Sequence, residues 1–152
     1  MTSVAEPPVE AASPAPVLEF KALLPYAPES ARKARGLVEG ALRSWELDTL
    51  IENAVLVADE LVSNAIQTGC RLQLALSVER ISEFGVRISV EDGSRYPPIL
   101  IKAGLPADPD RVPAGGRGLV IVDGLCKRWG IDLRPLGKCV YAEIHAPRRS
   151  RR

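Results

Sequence analysis

An α/β two-layer sandwich, with a mainly antiparallel sheet covered on one face by three helices, is the fold class this sequence predicts, on three observations. Two stretches in the first half repeat apolar residues at helical spacing. Two later stretches alternate apolar and polar residues across a short turn, as paired strands with one buried face do. A long segment rich in proline and glycine then leads into a third helical pattern, with two more strands behind it.

The elements follow in chain order. Residues 1–17 hold four prolines among Ala, Val, Glu and Ser without periodicity, a composition that buries too little surface to order, so a disordered arm is expected. Leu18 to Leu24 reads as a short edge strand ending at Pro25. Ala34, Leu37, Val38, Ala41, Leu42 and Trp45 recur at helical spacing and predict a first helix from about Ser30 to Trp45. Thr49-Leu-Ile-Glu52 has the form of a capping box and opens a second helix, which Gly69 ends. Leu72, Leu74, Leu76 and Val78 alternate, as do Val86, Ile88 and Val90 beyond a turn at Ser82–Gly85. Gly93 to Gly118 is irregular, with five prolines and four glycines ahead of Gly118. A third helix is expected from about Gly118 to Lys127, then strands near Trp129–Leu133 and Lys138–Ile144 around a turn at Pro135–Gly137. The chain ends in the basic tail 147–152, leaving 18–146 as one ordered domain. At 152 residues there is room for one ordinary core.

Composition excludes several classes. The apolar fraction of 46% is that of a globular protein, and no run is long enough to span a membrane. No basic segment followed by an apolar one opens the chain, so no secretory signal is expected. Cys70, Cys126 and Cys139 are odd in number and lack CxxC spacing, against both a disulfide framework and a zinc site, so reduced thiols and a cytoplasmic location are expected. A formal charge of +1 gives no general attraction to nucleic acid; only the tail could make such a contact.

Three patches carry chemistry. Glu60 and Asn64 lie four residues apart on the second helix, so their side chains share a face. An acid beside an amide can hold a hydrated divalent cation and polarise a hydroxyl; it can also be the polar stripe of an amphipathic helix, with Gln67. Asp92 follows Val86, Ile88 and Val90 in parity, so its carboxylate points to the helix-covered face. A lone acid there is costly, and a base with an exocyclic amine would supply donors; Asp92-Gly93 could instead simply begin a turn. Ser94 adds a hydroxyl beside it. Gly115-Gly116-Arg117-Gly118-Leu119 precedes the third helix, where free backbone amides and an N-terminus favour phosphate and Arg117 adds a charge-assisted contact, although glycines before a helix are common in plain loops. The pattern is neither GxxxxGK[ST] nor a dinucleotide GxGxxG.

In this order, Asp59-Glu-Leu-Val-Ser-Asn-Ala-Ile66, Asp92-Gly93-Ser94, Gly116-Arg-Gly-Leu-Val-Ile-Val122, Arg128-Trp-Gly130 and Gly137-Lys-Cys-Val-Tyr-Ala-Glu143 resemble the ATP-binding fold shared by gyrase, histidine-kinase and mismatch-repair ATPases. Within that superfamily the chain is most similar to the anti-sigma-factor serine/threonine kinases, especially the regulatory ATP-binding proteins of actinobacteria, over about residues 18 to 146. The resemblance implies ATP and Mg²⁺ as cofactors, with Asn64 as metal ligand and Glu60 as general base or orienter of the attacking hydroxyl. It implies Asp92 accepting from the adenine amine, with Ser94 beside it. A lid from about Tyr96 to Ala114 would cover ATP, and Gly116, Arg117, Gly118 and Leu119 would wrap the phosphates. Its implied partners are a protein antagonist, a sigma factor and a second copy of the chain.

Three departures stand out. Thr68 replaces a common histidine. The Asp box lacks its second glycine. Cys139 stands where relatives carry a threonine near the adenine. The alternative function is a non-catalytic module in which ATP only sets a protein-binding surface. A histidine kinase is disfavoured, because the one histidine, His145, falls in the last strand.

Overall fold

The computed structural model of the chain describes residues 18–67, 73–93, 122–135 and 137–147. The expected arm (1–17), the lid and nearly all of the tail lie outside these residues.

Within them the chain runs β1 (Glu19–Leu24), α1 (Glu29–Ser44), a 3-10 turn (Asp48–Leu50), α2 (Ile51–Gln67), β2 (Leu74–Ser82), β3 (Gly85–Asp92), β4 (Arg128–Arg134) and β5 (Gly137–His145). Five strands form one sheet in the order β1-β2-β3-β5-β4, and every neighbouring pair is antiparallel. Both helices contact this sheet, α1 through β1 and β2 and α2 through β3 and β5. Of the expected third helix, residues 122–125 are described; they are helical, and Val122 is buried in the core.

Strand parity decides what the helices cover. Leu74, Leu76 and Val78 of β2, Val86, Ile88 and Val90 of β3, and Val140, Ala142 and Ile144 of β5 are all buried. They meet Ala34, Val38, Ala41 and Leu42 of α1 and Ala54, Val57, Ala58, Leu61 and Val62 of α2 in one continuous core. Small residues at 34, 41, 54 and 58 let the helices approach each other and the sheet, while leucine, isoleucine and valine fill the layer between.

The second helix begins differently from the sequence expectation. Thr49 lies inside the 3-10 turn instead of capping α2, and no side-chain cap closes that turn. Burial of Leu47 and Leu50 fixes this entry, so core packing replaces a cap hydrogen bond. At the other end of the helix pair, Ser30 Oγ donates to the Pro25 carbonyl and Tyr26 Oη donates to the Ala65 carbonyl near the end of α2. The loop between β1 and α1 is thereby tied to the last turns of α2.

The β2–β3 hairpin is longer than alternation alone suggests. Its ladder runs to Ser82↔Gly85 around Glu83-Phe84, with a register shift between Arg80 and Ser82. Backbone pairing continues there after the apolar alternation has ended.

Candidate functional site

On α2 the buried stripe is apolar except at one position. Asn64 is 8% exposed, and among the described residues its Nδ2 has no hydrogen-bond partner. Leaving such a buried donor unpaired costs about 1–3 kcal/mol, a cost that a ligand accepting from Nδ2 would relieve. Glu60, one turn earlier, is half-buried. Burial, and secondarily the neighbouring charge of Asp59, pushes its carboxyl above the ordinary 4.5. A carboxylate with raised proton affinity beside a buried amide is an arrangement suited to taking a proton from a hydroxyl.

On β3, Asp92 continues the buried parity of Val86, Ile88 and Val90, as its spacing predicts. The expectation of a lone acid, however, needs correction. In the register of β3 and β5, Asp92 stands opposite Lys138. Lys138 Nζ donates to Asp92 Oδ1 at 3.1 Å and lies 2.9 Å from Oδ2. Both side chains are essentially inaccessible, at 1% for Lys138 and 0% for Asp92. The acid therefore carries its own buried countercharge, which offsets the desolvation that an isolated carboxylate would suffer.

The same register moves Cys139 away from this site. It pairs with Glu91, on the opposite parity, and its electrostatic neighbours are Arg134, Glu91, Asp132 and Arg87. The side chain of this segment that reaches Asp92 is thus Lys138. Burial raises the Cys139 thiol, and burial with Asp123 pushes Cys126 up to about 12, so neither is a thiolate at neutral pH.

Gly137 explains how β5 comes so close. A Cβ at this position would lie 2.0 Å from the Asp92 carbonyl oxygen and 3.0 Å from the Gly93 Cα. Only a residue without a side chain permits this approach, and the approach places the next residue, Lys138, against the Asp92 carboxylate.

Asn64 thus lies on the helix that contacts both β3 and β5, the strands that carry Asp92 and Lys138. Ser94, Gly116, Arg117, Gly118 and Leu119 lie outside the described residues, as does Thr68. Lys138 and Gly137 are the residues that sequence reasoning missed. The signal was available: Lys138 shares parity with Val140, Ala142 and Ile144, which marks its side chain as facing the core.

The donor set fits Mg²⁺ brought in by a nucleotide. Among the described residues no three His, Cys, Asp or Glu side chains cluster to form a metal cage. Magnesium commonly keeps several waters and is held by one or two protein ligands together with substrate phosphates. A buried carboxamide with Glu60 one turn away suits that role.

The other face of the sheet is polar. Arg87 Nη2 lies 3.2 Å and Arg128 Nε 3.5 Å from the Glu143 carboxylate, and Arg87 stacks 4.4 Å over the Tyr141 ring. Arg134 pairs with Glu91 at 2.7 Å. These groups tie β3, β5 and β4 together without an acid or amide directed at the core.

Comparison with known proteins agrees with this architecture. A family model described as histidine kinase-like ATPase domain matches residues 24–144. Among solved structures, the chain is similar to the crystal structure of the RsbU and RsbW domains of Rv1364c from Mycobacterium tuberculosis, with a TM-score of 0.63 at 18% identity. That match covers 86% of this chain and 33% of the other, so the present chain spans about a third of the length of its neighbour and the likeness is one of fold. No curated protein matches the sequence. Among the described residues, no helix is long and apolar enough to cross a membrane. With most of its length matched by the family, and with an antiparallel sheet backed by helices on one face, the chain belongs to the histidine kinase-like ATPase domain family.

Proposed function

We propose that this chain is an ATP-binding regulatory serine/threonine protein kinase of the anti-sigma-factor type, which phosphorylates a protein antagonist and sequesters a sigma factor. The observation that carries the reading is the burial of Asn64 and of the Asp92–Lys138 pair among the apolar residues between helices and sheet, in a domain of the histidine kinase-like ATPase family. The likeness to a structure containing an RsbW domain supports the regulatory part.

In this reading Asp92 accepts from the exocyclic amine of adenine, and Ser94 lines the same pocket. Gly116, Arg117, Gly118 and Leu119 bind the phosphates through backbone amides and one guanidinium. Asn64 holds Mg²⁺, which when bound neutralises charge on the phosphates. Glu60 takes the proton of the incoming serine or threonine hydroxyl as its oxygen forms the bond to the γ-phosphorus. The bond to the β–γ bridging oxygen breaks, and ADP leaves with that electron pair. Because the reaction requires positioning and charge stabilisation above all, a small number of groups suffices.

The test is transfer of labelled γ-phosphate from ATP to a candidate protein antagonist that carries a phosphorylatable serine or threonine. Transfer that is abolished in Asn64→Ala and in Glu60→Gln supports the reading. ATP binding without transfer in the presence of the partner would reduce the chain to a nucleotide-dependent binding module.

A further inference from the structure

Lys138 has no part in the phosphate chemistry proposed above, yet among the described residues it is the largest of the fully buried side chains. A fully buried lysine is rare unless it is paired, so the position of its ammonium is informative. That ammonium lies within 3.1 Å of one Asp92 oxygen and 2.9 Å of the other, across a rung of the β3–β5 ladder. The rung is drawn tight by Gly137, whose missing side chain allows β5 to touch the Asp92 backbone.

Resting on the reading of Asp92 as the base-recognising acid, we infer that Lys138 is the positioning residue that makes this acid selective for a 6-aminopurine. A carboxylate approached by an ammonium through both oxygens cannot turn freely about its last torsion. Held through both oxygens by one ammonium, the carboxylate presents its lone pairs in fixed directions. An acceptor held in one direction favours a ligand donor, such as the 6-amino group of adenine, and repels a 6-oxo group. The ammonium also supplies the countercharge without which the carboxylate would be costly to bury. Lys138 acts through Asp92 and does not itself touch the base, which distinguishes it from a binding residue.

The experiment is calorimetric titration, with Mg²⁺ present, of ATP, inosine triphosphate and purine riboside triphosphate, which lacks any 6-substituent. The proteins are the full chain, Lys138→Met, Lys138→Gln and Asp92→Asn. In the unaltered chain, loss of the 6-amino group is expected to weaken binding about tenfold or more, as removal of a hydrogen bond to a charged group does. Asp92→Asn brings that ratio to within about twofold of unity, and Lys138→Met lowers it at least threefold while inosine triphosphate gains relative to ATP. Lys138→Gln, which keeps a donor, falls between, and it carries the test where the methionine variant does not fold. Weakening of ATP and purine riboside triphosphate by the same factor in both Lys138 variants, with the ratio unchanged, would show a merely structural lysine and overturn the inference. A ratio that collapses in Asp92→Asn and survives in the Lys138 variants sinks this inference alone. Absence of ATP binding in the unaltered chain sinks the reading on which it rests, and this inference with it.

Discussion

Replacing Gly137 by alanine would put a methyl carbon 2.0 Å from the Asp92 carbonyl oxygen, with Asp92 C and Gly93 Cα each at 3.0 Å. All three obstructing atoms are backbone, so no rotamer change relieves the clash. Even the tightest tolerable contact, near 3.0 Å, requires the two strands to part by roughly 1 Å at this point. The rung affected is the one that joins Asp92 to Lys138. One or two ladder hydrogen bonds at about 1 kcal/mol each would be weakened, and a buried pair whose complete breakage costs about 3–5 kcal/mol would be slackened. The expected loss is about 2–4 kcal/mol, a fall in Tm of about 10 °C for a domain of this size. Gly36→Ala and Gly40→Ala are the controls, because in α1 their new Cβ atoms meet nothing within 4 Å. Removing glycine from a helix interior should raise stability by about 0.5–1 kcal/mol each. Chemical denaturation of the three variants and the parent checks both signs. A Gly137→Ala protein as stable as the parent, with unchanged ATP affinity, would refute the close approach of β5 to Asp92 and the account of Lys138 that depends on it.

The other predictions concern the site and the core. Asn64→Ala should change nucleotide-free stability by less than about 1 kcal/mol, because it removes a buried amide that is poorly satisfied, while Mg-ATP affinity falls at least tenfold by titration. Glu60 has its folded-state carboxyl raised above 4.5, so the stability tied to it is fully present below that pH and is lost as pH rises through the raised value. Glu60→Gln should therefore melt higher than the parent at neutral pH, with the advantage vanishing in acid, and it should lose phosphoryl transfer, whose rate in the parent climbs with pH through the same raised value. Ile88→Ala, at the centre of β3 and fully buried, should cost about 2–5 kcal/mol by denaturant titration and leave the ratio of ATP to inosine triphosphate affinity unchanged.

How much of this could be read from the sequence differs from element to element. The helical spacing of Ala34 to Leu42 and the alternation of Leu74 to Val90 depend on burial alone, and burial is what holds those elements in the structure. The start of α2 was harder, because Thr49 offers a local capping signal that the burial of Leu47 and Leu50 overrides. Asp92 was readable as core-facing from parity, but its partner was not. Parity marks Lys138 as core-facing too, but the pairing of residue 92 with 138 depends on the strand order, in which β5 lies beside β3 with β4 outside it. The same gap misplaced Cys139, since one step of register moves a side chain to the opposite face of the sheet. Gly137 was visible as a turn residue, whereas its contact with Asp92 is a tertiary matter that no local pattern carries.

The central claim is that Asn64 and Asp92 form part of an ATP site, and titration of Mg-ATP into the full-length chain and into Asp92→Asn tests it most directly. Saturable one-to-one binding in the parent and a loss of at least tenfold in the variant are expected, with both proteins folded by circular dichroism. Equal affinity in the two proteins, or no saturable binding in the parent, would contradict it.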